Sequence, residues 1–243
     1  MAVVVGTAGW SLPRGCAARF DGEGTHLERY GRVLTGAEIN SSFHKPHAAR
    51  TYERWAASTP AAFRFAVKLP RAITHDKRLM DVDEPLQRFL DESAGLGDKR
   101  GPLLVQLPPS FVFDAAIVGR FLDTLRGRYE GSLACEPRHA TWTAPDANTM
   151  LVEHRVARVA ADPPRADADQ MPGGWPGLVY YRWHGAPRVY WSSYDAAQID
   201  GLAAQVRARH TAVDVWCIFD NTASGAACEN ALELQRRLSD SAG

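Results

Sequence analysis

Apolar and polar positions alternate between two periods along this chain. Short apolar runs of strand type recur at intervals and are followed by stretches in which apolar residues return every three or four positions, the pattern of parallel βαβ units. Eight strands are predicted: Ala2–Gly6, Ala37–Asn40, Phe63–Lys68, Pro102–Leu107, Leu133–Pro137, Ala157–Asp162, Leu178–His184 and Val213–Asp220. Between them lie HLERYGRVL, ARTYERWAAS, EPLQRFLDES, AAIVGRFLDTL and AAQIDGLAAQVRARH, which read as amphipathic helices of an outer ring. The sixth unit departs from the pattern. ADPPRADADQMPGGWPG, residues 161–177, is too rich in proline, glycine and aspartate for a helix and reads as a long loop on the mouth side. The expected architecture is an α/β fold, a single (β/α)8 TIM-type barrel spanning residues 1–243 as one domain.

In such a barrel both faces of each strand are covered, so polar residues belong at the C-terminal strand ends, where they reach the mouth. The charges follow that rule. Glu38 and Asn40 end strand two, Lys68 strand three, Gln106 strand four, Glu136 and Arg138 strand five, Asp162 strand six, Arg182 and His184 strand seven, and Asp220 strand eight. Side chains alternate with period two, so Glu38 with Asn40, Glu136 with Arg138 and Arg182 with His184 each share a face. That face must be the lumen, because an unpaired charge against the apolar side of the helices costs several kcal/mol. Ion pairing that merely plugs the barrel top is the bland alternative. A buried ion pair gains little over apolar packing, which favours a site.

Two loops add candidates. FDNTASGAACENA leads from strand eight into a helix through Asn221, Thr222 and Gly225, residues that cap helices and can turn backbone N–H groups toward an anion. GTAGW places Trp10 after strand one as a possible stacking wall, with core packing as the competing role. His75, after strand three, is a candidate acid or base, and His139 beside Arg138 is ambiguous. His44 and His47 are expected in solvent.

Composition narrows the partners. The chain is 45% hydrophobic and 23% charged, with Lys plus Arg and Asp plus Glu equal at 28 each, so no global field draws it to nucleic acid or an anionic membrane. The N-terminus has no basic signal region and no apolar run approaches the roughly 20 residues of a membrane span, so a reducing cytoplasmic setting is expected. Cys16, Cys135, Cys217 and Cys228 lack C-x-x-C spacing, which argues against a disulfide or a zinc site.

The segments GTAGW, EINSSFHKP, FRFAVKLPRAITH, LLVQLPPSF, EPRHATW, AADPP, YYRWHG and FDNTASGAACENA together resemble the YecE-like family, also called domain of unknown function 72, over nearly the whole chain. The resemblance implies a TIM-type barrel of bacterial or archaeal type and brings no substrate, cofactor or reaction with it. His44 stands where the family usually has tyrosine, and SLPRG follows Trp10 where the family has an aromatic-rich Y-x-x-W segment.

Three functions compete at the mouth. The leading one is a metal-independent, cofactor-free hydrolase or lyase acting on a small polar anionic metabolite. In it Glu136 is the base or nucleophile, Glu38 or Asp220 the partner acid, and Lys68, Arg138 and Arg182 neutralise developing charge. Lys68 also raises a Schiff-base alternative. The second is metal-dependent phosphodiester cleavage, with ligands drawn from Glu38, Glu136, Asp162, Asp220, His75 and His184; the cations on the same rim oppose it. The third is a non-catalytic metabolite-binding module. No protein partner is legible.

Overall fold

The structure is a computed structural model that describes residues 1–164 and 171–240. Its strands are β1 (Val3–Ala8), β2 (Gly36–Ile39), β3 (Arg64–Lys68), β4 (Arg100–Gln106), β5 (Leu133–Glu136), β6 (Val156–Arg158), β7 (Ala160–Asp162), β8 (Gly173–Gly174), β9 (Leu178–Trp183) and β10 (Asp214–Phe219). Every neighbouring pair is parallel except β8 on β6. β1 lies between β10 and β2, and the pairing continues through β3, β4 and β5 to β6.

The sixth stave of the barrel is split. β6 pairs with β5, whereas β7, beyond Val159, pairs with β9 on the other side. One extended segment therefore bonds first to one neighbour and then to the other, and this closes the ring. The expectation of one continuous strand over Ala157–Asp162 is corrected accordingly. Of the glycine-rich segment expected on the mouth side, residues 165–170 lie outside the described residues. Its later half runs the opposite way: β8 is antiparallel to β6, and the Trp175 N–H donates to Val156 O, at the start of the sixth stave rather than at the mouth.

The helices are α1 (His26–Gly31), α2 (Ser41–His44), α3 (Ala49–Ala57), α4 (Asp83–Ser93), α5 (Ala115–Arg126), α6 (Pro145–Glu153), α7 (Ala196–His210) and α8 (Ala226–Ser239). Local chemistry sets several starts. Thr25 with Glu28 and Asp195 with Gln198 form capping boxes at α1 and α7, and the Asp114 carboxylate accepts from two N–H groups of α5. The periodic apolar residues Leu86, Phe89 and Leu90 of α4 and Val118, Phe121, Leu122 and Leu125 of α5 are buried, as the sequence pattern requires.

The core has two parts. The larger lies between sheet and helices; the smaller fills the lumen with Val4, Ala66, Leu104, Ala134, Ala157, Val159, Leu178, Tyr180, Trp216 and Ile218. Trp216 stacks on Tyr180 with ring centroids 6.1 Å apart. It fits because residue 101 is glycine: a Cβ there would stand 2.5 Å from the indole.

Cys16 and Cys228 form a disulfide, contrary to expectation, while Cys135 and Cys217 are free and buried. The pair joins the loop after β1 to α8 across 212 residues, a proximity that motif spacing cannot reveal. Among the described residues, no helix is long and apolar enough to cross a membrane.

Candidate functional site

Alternation along β9 decides the centre of the mouth. Tyr180 faces the lumen, so Arg182 and His184 follow it up the same face, and Glu38, Glu136 and Asp220 meet them from β2, β5 and the end of β10. Arg182 is 0% exposed. Its Nη2 lies 2.8 Å from Glu38 Oε1 and 3.0 Å from Asp220 Oδ2, its Nη1 donates to Glu136 Oε2 at 3.0 Å, and its Nε donates to Glu38. Three carboxylates thus converge on one guanidinium. Burial works against its charge, but Asp220, Glu38 and Glu136 together hold its pKa well above the usual arginine value.

Glu136 and Glu38 are bonded through both oxygens, whereas the contacts of Asp220 run through Oδ2. Glu136 Oε1 accepts from Arg138 Nε and Nη2 at 3.1 and 2.9 Å and lies 2.9 Å from His184 Nε2, while Oε2 also accepts from Gln106 Nε2 at 2.9 Å. Glu38 Oε2 accepts from the Tyr180 hydroxyl at 2.8 Å. Burial alone would raise the Glu136 pKa, yet Arg182, Arg138 and His184 overcome it and hold the carboxyl well below the ordinary range. Asp220 is likewise lowered, with Arg182 and His184 outweighing burial. Carboxylates stabilised in this way are weak bases, which removes the reason to give Glu136 that role.

His184 bridges two of them, Nε2 to Glu136 and Nδ1 to Asp220 Oδ2 at 3.1 Å.

Lys68 differs from every other charge here. It is 7% exposed, and among the described residues its ammonium donates no hydrogen bond; it lies over the Phe43 ring, 4.1 Å from the centroid. Burial, then the Arg182 charge, bring its pKa down to about 8, against the opposing pull of Glu38, Glu136 and Asp220. His75 meets the same Phe43 ring edge-on at 4.9 Å, with Nδ1 2.9 Å from Thr74 Oγ1. Burial, then Lys68 and Arg71, lower its pKa to about 4, so it is neutral at pH 7. His75 sits in a π-helical turn over Ala72–Asp76. Asn40 Oδ1 is a buried acceptor without a donor among the described residues.

A shallow recess opens beside the network, lined by Glu136, Arg138, Ala161, Pro163, His184 and Val189. At its edge Arg138 Nη1 reaches the Tyr190 hydroxyl at 3.5 Å.

Other candidates lie elsewhere. Trp10 is half-buried and packs edge-on against Trp55 and Phe65, the core-packing role that competed with a stacking wall. Asn221 is fully buried, and its Nδ2 donates to Ser192 O and Asn230 Oδ1, bracing a loop against α8. Thr222 and Gly225 line a separate cleft with Thr7, Ser11 and Pro13. Asp162 Oδ1 accepts from the Tyr194 hydroxyl. His139 caps a short turn through Thr141, and His44 is exposed as expected. His47 instead is half-buried, edge-on to Trp55 at 5.0 Å.

Sequence reasoning missed Phe43, Tyr180 and Tyr190. Tyr180 was readable from its spacing of two before Arg182; Phe43 and Tyr190 come from irregular segments where no period assigns a face.

The family model described as "Protein of unknown function DUF72" matches residues 4–243. The chain belongs to the DUF72 family. Among curated relatives, the UPF0759 protein YecE of Escherichia coli K12 is 28% identical over 166 residues, covering 66% of this chain and 59% of that protein. The chain thus matches less than two thirds of that relative's length. A solved DUF72 family protein of Enterococcus faecalis V583 superposes with a TM-score of 0.82 at 21% identity, covering 98% of this chain and 96% of that one. One from Thermotoga maritima MSB8 gives 0.80 at 25%, covering 98% and 100%. D-psicose 3-epimerase of Clostridium cellulolyticum H10, solved with D-tagatose, gives 0.52 at 10% identity over 90% of this chain and 86% of that one, a likeness of fold alone. These neighbours agree with the TIM-type barrel of this DUF72 chain.

Proposed function

We propose that the mouth is the active site of a metal-independent enzyme, a lyase or hydrolase, acting on a small polar anionic metabolite. One observation carries the reading: Lys68 is an ammonium at the mouth with no hydrogen-bond acceptor among the described residues, although three carboxylates lie within its electrostatic reach. Those carboxylates are held by Arg182, Arg138 and His184, so none of them takes a hydrogen bond from Lys68. An anionic ligand would supply the acceptor that Lys68 lacks. Lys68 is the proton-transfer group, because its pKa of about 8 lies near neutrality. Arg138, at the recess, contacts the ligand; Arg182 and Glu136 position the groups around it.

Metal-assisted phosphodiester cleavage fits this donor set poorly. The Glu38, Glu136 and Asp220 oxygens that would ligate a cation already surround the Arg182 guanidinium, which would have to leave first.

Sulfate, whose charge is constant across the useful pH range, tests the site by isothermal titration. Affinity is expected to fall about ten-fold between pH 6.5 and 9.5 as Lys68 loses its proton, and to be lost in Lys68→Met. Binding that ignores both pH and the substitution overturns the reading.

A further inference from the structure

We propose that Lys68 condenses with the carbonyl group of an anionic aldehyde, ketone or oxo acid, forming a Schiff base at the barrel mouth. The inference rests on the anion-site reading above and narrows its substrate to carbonyl compounds.

Placement comes first. Lys68 ends β3, and the peptide that follows it is held through both its groups: Ser42 Oγ donates to Lys68 O at 2.6 Å, and the Leu69 N–H donates to Leu104 O at 3.0 Å. The stem is buried in the wall, and the face of Phe43 covers one flank of the nitrogen and keeps water from it. A nucleophile held on a rigid element with a dry flank is preorganised for attack.

Lys68 also makes no hydrogen bond to the carboxylates beneath it among the described residues. A lysine serving only to neutralise the floor would donate to one of its carboxylates. Here Arg182 holds Glu38, Glu136 and Asp220, while Arg138 and His184 cover the outward oxygen of Glu136. Lys68 is left as a nitrogen whose lone pair, once freed, meets no competing donor. Burial and the Arg182 charge increase the share of free amine near neutral pH.

The condensation balances without an oxidant or reductant. An ammonium and a carbonyl become an iminium and water: a C=N bond replaces C=O, and the departing oxygen carries away two of the nitrogen's protons. The positive charge stays on nitrogen, so the electrostatics of the carboxylate floor are the same before and after. Arg138, which lines the recess and whose Nη1 reaches the Tyr190 hydroxyl at 3.5 Å, holds the substrate's anionic group.

The test traps the imine on the full chain. The protein is incubated with pyruvate, dihydroxyacetone phosphate or neutral glycolaldehyde in the presence of cyanoborohydride, and modified lysines are mapped by peptide mass spectrometry. Lys45 and Lys77, which are exposed, serve as internal references. With the anionic probes Lys68 is expected to react at least about ten-fold faster than either reference, because a larger share of it is free amine. Sulfate should protect it, and Arg138→Ala should slow it. Pyruvate and the phosphorylated ketone compete as separate arms, and the faster one names the anionic group. Modification of Lys68 no faster than Lys45 with every probe overturns the inference. If sulfate still binds in that case, only the Schiff base fails; if it does not, the anion site fails too. Equal speed with glycolaldehyde overturns the anionic substrate class. Mapping and sulfate protection use the unaltered protein, so the result does not depend on how a variant folds.

Discussion

The lower and upper halves of the barrel lumen solve one packing problem in opposite ways. Below, Leu178, Tyr180, Trp216 and Ile218 fill the space with apolar surface, and Gly101 withdraws its side chain to admit the indole. Above, the same volume holds Arg182 ringed by Glu38, Glu136 and Asp220. Apolar packing would have served the upper layer at least as well for stability, since charge desolvation offsets most of the ion-pair attraction. The ionic layer differs in what it supports. It fixes Arg138 and His184 and sets the field in which Lys68 sits unbonded. Paired charges here act as framework, and the Lys68 ammonium stands without a hydrogen-bond acceptor among the described residues.

Arg182→Met attacks this contrast most directly. It leaves three buried carboxylates without their shared cation and is expected to lower stability by about 3–5 kcal/mol in urea denaturation at pH 7. A loss below about 1 kcal/mol would mean that the ring is no framework.

Lys68→Met should act in the other direction. A lysine whose folded pKa lies below its unfolded value destabilises the fold while both states are protonated. That deficit shrinks as pH rises from about 8, where the folded form loses its proton, toward 10.5, where the unfolded form does. The variant is therefore expected to be more stable than the parent by roughly 3 kcal/mol at pH 7, and the gap should close toward pH 10.5. A gap that stays constant with pH would assign the difference to packing.

The smallest effect belongs to Tyr190→Phe. Its 3.5 Å contact with Arg138 lies at an exposed edge, so stability should change by less than about 0.5 kcal/mol while sulfate affinity falls about two-fold.

Much of the framework was legible in sequence because it follows from period. Eight staves and their order came from apolar runs, and the lumenal face of Glu38, Glu136, Arg182 and His184 came from alternation alone. Alternation shows which residues share a face but not which bonds they make. It placed Glu136 correctly yet could not show five polar contacts suppressing its basicity. Trp10 and Asn221 follow strand ends, as Asp220 does, and only tertiary packing brings them against Trp55 and Asn230. The break at Val159 and the Cys16–Cys228 bond depend on contacts distant in sequence, which no local pattern encodes.

The handover at Val159 leaves the barrel unevenly sewn. For part of its length that plank is tied to β5 and for the rest to β9, so neither edge is laced from end to end. Arg182 rises from β9 and Glu136 from β5, and their 3.0 Å contact reaches over the half-laced plank from one flank to the other. The guanidinium thereby serves as a keystone, locking a wall that the backbone alone leaves ajar.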